Sequence, residues 1–218
     1  MSSSKRPFIH PEGWRFAITF FVISIFLGFV STAISIIGYL LTIFTLWFFR
    51  DPERNTPYDS NSITSSADGK VCLIDESYPP KEVSMSQEKM KRICVFMNVF
   101  NVHINRSPVS GTVTAIVYKE GQFLNASLDK ASEKNERSSL VISSTNNGPE
   151  IVVVQIAGLI ARRILGFVSS NDNLVQGERF GLIRFGSRVD IYMPLDAVTK
   201  CSVGDKVVAG ESVLASFK

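Results

Sequence analysis

Few residues of this sequence can do acid–base or nucleophilic chemistry near neutral pH. The chain has two histidines, His10 and His103, and only His103 follows the long apolar segment, within "FNVHINRSPVSGTV". The other candidates are Asp68 in "ADGKV" and Gly186-Ser187 in "IRFGSRVDIYMP". A base such as imidazole activates a serine hydroxyl by taking its proton, and a carboxylate can hold the imidazole tautomer. The combination predicts a nucleophile, Ser187, a base, His103, and an orienting acid, Asp68.

The Gly186-Ser187 pair breaks a pattern that is otherwise typical of a half-buried strand. Glycine inside a strand marks a bulge or a close backbone approach, and it permits backbone angles that other residues adopt only with strain. Attack of the Ser187 hydroxyl on the Gly186 carbonyl would need such a departure from regular strand geometry. Each candidate also has an ordinary explanation: a structural histidine, an Asp-Gly turn and a Gly-Ser bulge.

The flanking motifs strengthen the functional interpretation. From Phe48 almost to the C-terminus the sequence resembles the phosphatidylserine decarboxylase family, in particular its short, compact branch. The motifs that carry the resemblance, in chain order, are "FFRDPERNTP", "ADGKV", "NVHINRSPVSGTV", "FLNASLDKASEKNER", "IAGLIARRI" and "GERFGLIRFGSRVDIYMP". The resemblance implies that the protein cuts its own Gly186–Ser187 bond. The products would be a beta chain, 1–186, and an alpha chain, 187–218, that remain associated.

The resemblance also implies the cofactor and the reaction. Ser187 would become a covalent pyruvoyl group, which forms a Schiff base with phosphatidylserine and releases CO2 to give phosphatidylethanolamine. His103 would serve as base in self-cleavage and as proton donor in decarboxylation, with Asp68 supporting it, and no metal is implied. The partner is phosphatidylserine in the membrane; a homo-oligomer stays open. A net charge of +3 is too small to indicate nucleic acid.

The sequence departs from longer relatives in two places. It has "FGSR" at 185–188 where they have Leu-Gly-Ser-Thr, and Phe100 stands where they often have a second histidine, three residues before His103. Two arginines, Arg184 and Arg188, flank the predicted cut. Guanidinium groups suit phosphate oxygens, so these side chains are either ligands of the lipid phosphate or part of a solvated strand face.

A stretch without any charged residue runs from Phe16 to Phe49. It is too long for one straight membrane span, so we predict a tight helical hairpin that turns near residues 31–35. A single tilted helix, a hairpin within one leaflet and a buried helical pair in a soluble core are the alternatives. Basic residues on both flanks favour a cell-membrane (plasma or inner) location with both ends, and the catalytic domain, on the cytoplasmic side.

The rest of the chain is mainly β in pattern, with a short helix predicted around 86–91. The predicted strands are "KVCLID", "RICVFM", "GTVTAIVY", "SLVISS", "EIVVVQIA", "RRILGFV", "GLIRF", "RVDIYM" and "SVLASF". The segment "VGDKVVA" resembles the barrel-sandwich hybrids of lipoyl and biotinyl carriers, although the order of its elements is reversed relative to theirs. The three cysteines lack metal-ligand spacing, which is typical of reduced core residues.

These observations predict a mainly β (α+β) catalytic domain with barrel-sandwich-hybrid-like elements, preceded by a transmembrane helical hairpin. The predicted boundaries are an N-terminal tail, 1–14, a hairpin, 15–49, a linker, 50–66, and a pyruvoyl-dependent decarboxylase domain, 67–218. Two rival functions remain: a membrane-tethered barrel carrier or binding protein without catalysis, and a serine hydrolase. The hydrolase is the weaker rival because the sequence has no Gly-x-Ser-x-Gly motif.

Overall fold

The computed structural model of the protein separates into two compact units, Met1–Glu53 and Arg54–Lys218. It describes residues 7–57, 59–83, 88–122, 134–145, 148–158, 163–184 and 186–218. Parts of three predicted motifs, residues 123–133, 159–162 and 185, lie outside the described residues. The finer domain boundaries stay predictions.

The first unit contains two helices, α1 (Pro11–Gly28) and α2 (Thr32–Phe48). His10 caps the start of α1, where its ring nitrogen accepts a hydrogen bond from the Glu12 amide. Proline follows at the first helical position, where its missing N–H leaves no bond unmade. The helices are joined by residues 29–31, so the connection overlaps the turn predicted near residues 31–35 only at Ser31, and residues 32–35 belong to α2.

Small and polar residues lie between the two helices. The Ser35 hydroxyl donates to the Ser24 carbonyl across the hairpin at 2.9 Å. A Cβ atom on Gly38 would lie 2.1 Å from Ser24 Oγ, so only glycine permits this approach. Close packing through small residues is typical of helices that associate within a bilayer.

Large apolar side chains cover the outside of the hairpin. The exposed ones on the two helices are Trp14, Ile18, Phe20, Phe21, Val22, Ile23, Ile25, Phe26, Ile34, Ile36, Ile37, Leu40, Leu41, Ile43 and Trp47. Within the described residues, α1 alone is long and apolar enough to cross a membrane by length and composition, whereas α2 has 17 residues. An apolar surface of this extent is typical of sites that contact a membrane or a partner protein, and the apolar helix α1 gives weak support for a membrane.

The second unit is built from antiparallel strands, of which the described residues contain fourteen. They are β1 Ser62–Thr64, β2 Gly69–Ser77, β3 Met90–Met97, β4 Ile104–Arg106, β5 Gly111–Lys119, β6 Arg137–Ser144, β7 Glu150–Ala157, β8 Ile164–Gly166, β9 Asn173–Leu174, β10 Arg179–Ile183, β11 Ser187–Met193, β12 Val198–Thr199, β13 Lys206–Val207 and β14 Val213–Ser216. A curled eight-stranded sheet has the order β13-β2-β3-β11-β7-β6-β5-β9. Two three-stranded sheets have the orders β4-β10-β8 and β1-β14-β12.

The structure confirms the predicted fold class. Each predicted strand overlaps a strand of the structure, because alternating or continuous apolar residues mark segments long enough to show a pattern. Short strands such as β4, β9 and β13 were missed, since two or three residues carry no visible period. The short helix predicted around 86–91 is wrong at residues 90 and 91, which begin β3, and residues 86 and 87 lie outside the described residues.

The chain passes directly from one sheet to another near the candidate site. Strand β10 is the middle strand of the β4-β10-β8 sheet, and β11 lies in the interior of the eight-stranded sheet. Residues 184–186 alone connect them. The Gly186–Ser187 bond therefore lies where the chain enters the second of these sheets.

Candidate active site

Gly186 occupies the last position of the crossover from β10 to β11. Its φ angle is +61°, in the left-handed region that side chains other than glycine adopt with strain. A Cβ atom there would meet no atom within 4 Å, so backbone conformation rather than crowding explains the glycine. The interruption noted in the sequence is therefore the point where the chain leaves one sheet for the other.

Ser187 is the first residue of β11 and lies between two neighbouring strands. It pairs with Met97 of β3 and with Ala157 of β7. The residue is completely buried, and its Oγ has no hydrogen-bond partner among the described residues. A buried hydroxyl without a partner is destabilising, so this one is a candidate for chemistry rather than for support.

His103 lies beside the crossover, immediately before β4. Its Nε2 accepts a hydrogen bond from the Gly186 amide at 3.2 Å, and its Nδ1 lies 3.0 Å from the Asn101 carbonyl oxygen. The His103 carbonyl in turn accepts from the Ile183 amide at 3.3 Å. The residue is fully buried, so side chain and backbone both fix it against the segment that leads to Ser187.

These partners assign the imidazole tautomer. A carbonyl oxygen cannot donate, so Nδ1 carries the hydrogen, and an amide N–H cannot accept, so Nε2 offers its lone pair. In this tautomer the lone pair of Nε2 is directed at the Gly186 backbone amide. The geometry thus places His103 against the Gly186 amide, whereas no hydrogen bond joins it to Ser187 Oγ, and the roles of His103 and Ser187 in chemistry stay predictions.

Asp68 forms an ion pair with a side chain and a hydrogen bond with a backbone amide of the second unit. Among the described residues it has two hydrogen-bond partners: its Oδ2 accepts from Arg54 Nη2 at 2.7 Å, and its Oδ1 accepts from the Ala209 amide at 2.8 Å. Neither of these two hydrogen bonds goes to His103, whose Nδ1 lies beside the Asn101 carbonyl oxygen. A role for Asp68 in the chemistry stays a prediction.

Arg188 is buried and forms an ion pair with Asp190. Its Nε and Nη2 donate to the two carboxylate oxygens of Asp190 at 2.6 and 2.7 Å, and both side chains are buried. Burial alone would lower the pKa of Arg188, but the bidentate bond with Asp190 raises it above its ordinary value. Arg188 therefore belongs neither to a solvated strand face nor to an open phosphate site, and Arg184 is half-buried.

Several residues near the site were not found from the sequence. Asn101 acts through its backbone carbonyl, which no sequence pattern reveals. Asn105 and Gln155 form a buried side-chain bond on the face of the sheet that carries Ser187. Gln155 could have been noticed, because a glutamine inside the apolar run "IVVVQIA" must find a buried partner.

Comparison with known protein families agrees with the resemblance seen in the sequence. A family model described as phosphatidylserine decarboxylase matches residues 41–215. The match covers most of the chain and includes Asp68, His103, Gly186 and Ser187.

Replacing Asp190 tests the ion pair that follows Ser187. Asp190→Asn should lower the free energy of unfolding by about 3–5 kcal/mol, because it leaves Arg188 buried without its countercharge. The control is Asp75→Asn. The Asp75 side chain binds Arg92 but is 34% exposed, and Arg92 keeps a second carboxylate, that of Asp190, at 3.7 Å when Asp75 is replaced. This change should cost about 1 kcal/mol or less. Urea unfolding of the full chain in detergent measures both, and equal losses would contradict the assignment.

Proposed function

The chain belongs to the phosphatidylserine decarboxylase family, which makes it a decarboxylase, and we propose that it matures by cutting its own Gly186–Ser187 bond to form a pyruvoyl group. In this proposal it converts phosphatidylserine into phosphatidylethanolamine, a step of phospholipid synthesis. The observation that supports self-cleavage best is the contact between His103 Nε2 and the Gly186 amide, beside a buried Ser187 hydroxyl that has no partner among the described residues.

The first step transfers an acyl group from nitrogen to oxygen. Ser187 Oγ attacks the Gly186 carbonyl carbon while His103 Nε2 takes the hydroxyl proton. The C–N bond then breaks, and the same proton passes to the Ser187 nitrogen, leaving an ester between the two residues. The left-handed conformation of Gly186 favours this step, because the peptide is already outside the regular strand.

The second step breaks the ester. Loss of the Ser187 α-proton expels the Gly186 carboxylate by β-elimination and leaves dehydroalanine at residue 187. Tautomerisation and hydrolysis release ammonia and leave the pyruvoyl group. Serine suits this sequence because its oxygen is first the nucleophile and then part of the leaving group.

The surroundings of Ser187 fit such a group. The serine hydroxyl makes no hydrogen bond to the described residues, so its loss leaves no buried donor or acceptor without a partner. A pyruvoyl carbonyl supplies an electrophile for the substrate amine and an acceptor for the electrons that CO2 loss releases. His103 Nε2 is the group that would return a proton to the substrate carbon.

The two fragments would stay together after cleavage. Fragment 187–218 contributes β11, which pairs with β3 on one side and with β7 on the other. The same fragment supplies β13, which pairs with β2, and β14, which pairs with β1. Separating the fragments would break a central strand of the sheet and expose its core.

The helical hairpin would place the enzyme at the bilayer that holds its substrate. Its apolar exterior supports insertion, and basic residues at both flanks, Arg15, Arg50 and Arg54, support a cytoplasmic position of both ends.

Intact mass tests self-cleavage directly. Purified wild-type protein should appear as fragments 1–186 and 187–218, the smaller one beginning with pyruvoyl. Ser187→Ala should remain one chain without activity on phosphatidylserine. Ser139→Ala is the matched control, because Ser139 is also fully buried, its hydroxyl has no partner within the described part of the chain, and it lies on β6. Cleavage of Ser187→Ala at the same bond would exclude Ser187 as nucleophile, and an intact wild-type chain would favour the carrier alternative.

Substitution of His103 and Asp68 should give a graded series. We expect His103→Ala to accumulate as precursor and Asp68→Asn to be processed slowly, whereas wild type is processed during expression. A loss of about 10⁴-fold is the precedent for removing such an acid from a serine protease triad. The readouts are a time course of fragments on a gel and CO2 release from phosphatidylserine.

Two controls separate chemistry from support in that series. His10→Ala removes the other histidine, which caps α1, and should leave cleavage intact. Arg54→Gln removes the cation of the same ion pair and leaves the Asp68 carboxylate in place. If Arg54→Gln slows cleavage as much as Asp68→Asn, Asp68 acts by holding Arg54 and not on the imidazole. Rapid cleavage of His103→Ala would remove histidine from the first step.

Protease accessibility tests the orientation. In sealed right-side-out membrane vesicles, added protease should leave residues 67–218 undigested, and in inverted vesicles it should digest them. Digestion in the right-side-out preparation alone would reverse the assignment of sides.

A further inference from the structure

The two reacting groups of the proposed self-cleavage are held by different sheets. His103 immediately precedes β4 in the sheet β4-β10-β8, whereas Ser187 begins β11 in the eight-stranded sheet. Their relative position therefore depends on contacts between the sheets as well as on the short connection 184–186. Reacting groups need placement within a fraction of an ångström, so such contacts bear on the rate.

One side-chain bond joins the two sheets at this place. Gln155 Nε2 on β7 donates to Asn105 Oδ1 on β4 at 2.8 Å. Asn105 is fully buried and Gln155 is 3% exposed, so neither carboxamide can exchange the bond for bulk water. Gly181 of β10 makes room for it, since a Cβ atom there would lie 2.7 Å from Gln155 Nε2.

The carboxamide of Asn105 also contacts β3, the strand that pairs with β11 on the side opposite β7. Its Nδ2 lies 3.3 Å from the Ser66 carbonyl and 3.7 Å from Met97 Sδ. Met97 lies on β3 and pairs with Ser187. Gln155 lies on β7, two residues before Ala157, which pairs with Ser187 on its other side. Asn105 thus contacts both strands that flank the start of β11, and it stands only two residues after His103.

We propose that the Asn105–Gln155 carboxamide pair is a positioning device that sets the imidazole of His103 against the Gly186–Ser187 peptide. The proposal rests on the proposed self-cleavage. Neither residue touches the reacting atoms; both act through His103. Without the pair, β4 is free to shift relative to β11, and the bond from the Gly186 amide to His103 Nε2 lengthens or is lost.

The rate of self-cleavage is the first test. Gln155→Met keeps length and flexibility but removes the donor, and cell-free synthesis of the full chain allows cleavage to be followed from the first minutes. We expect cleavage about tenfold slower or more, since a misplacement near 1 Å can cost about 100-fold. The matched control is Gln176→Met, which removes carboxamide bonds to the Ser62 and Pro108 carbonyls, and should cleave at the wild-type rate. Wild-type cleavage of Gln155→Met would overturn the proposal.

The state of the imidazole is the second test, and it does not depend on cleavage. In the uncut Ser187→Ala background, ¹⁵N-histidine labelling gives signals from two residues only, and His10 serves as internal reference. His103 should show the Nδ1–H tautomer, and Gln155→Met should broaden this signal or mix in the other tautomer. Slow cleavage with an unchanged His103 signal would overturn the positioning role in favour of general destabilisation.

Two further outcomes are distinguishable. If Gln155→Met does not fold, Gln155→Leu replaces it: its side chain has neither donor nor acceptor for Asn105, and the same slowing and the same change of signal are expected. If wild type itself is never cleaved, the proposed function fails, while the imidazole measurement still decides whether the pair positions His103.

Discussion

A hydrogen bond from the Gly186 amide to His103 Nε2 holds the imidazole against the backbone at the point where the chain crosses from one sheet to another. Three residues make the crossing, and the left-handed conformation of Gly186 lets them do so. Gly186 lies just before β11, and its amide donates to the imidazole of His103 instead of to a neighbouring strand. The backbone irregularity and the contact with His103 are therefore one feature.

The strand that follows is anchored on both of its faces. Val189, Ile191 and Met193 enter the main apolar core, while Arg188 and Asp190 form a buried pair on the opposite face. A strand held in this way cannot easily shift within the sheet, so the position of Ser187, its first residue, is fixed by contacts on both faces of β11.

The sequence predicted the strands with a visible period and the helical hairpin. Local pattern was sufficient for these, because alternating or continuous apolar residues mark them. It could not predict that the Asn101 carbonyl would occupy Nδ1, that Asp68 would bind Arg54 and the Ala209 amide, or that Arg188 would be buried. These contacts are set by distant segments and backbone atoms, which sequence spacing does not encode.

Cleavage would change what holds the reacting groups together. In the intact chain the 184–186 connection ties β10 to β11 covalently, and with it the segment bonded to His103. Once the Gly186–Ser187 bond is cut, only non-covalent contacts relate the β4-β10-β8 sheet to β11. The Asn105–Gln155 bond and the close approach of Gly181 to Gln155 are contacts of this kind that do not pass through the cut residues. A precursor that loses its covalent link during maturation needs such contacts to keep His103 beside residue 187 through every later turnover.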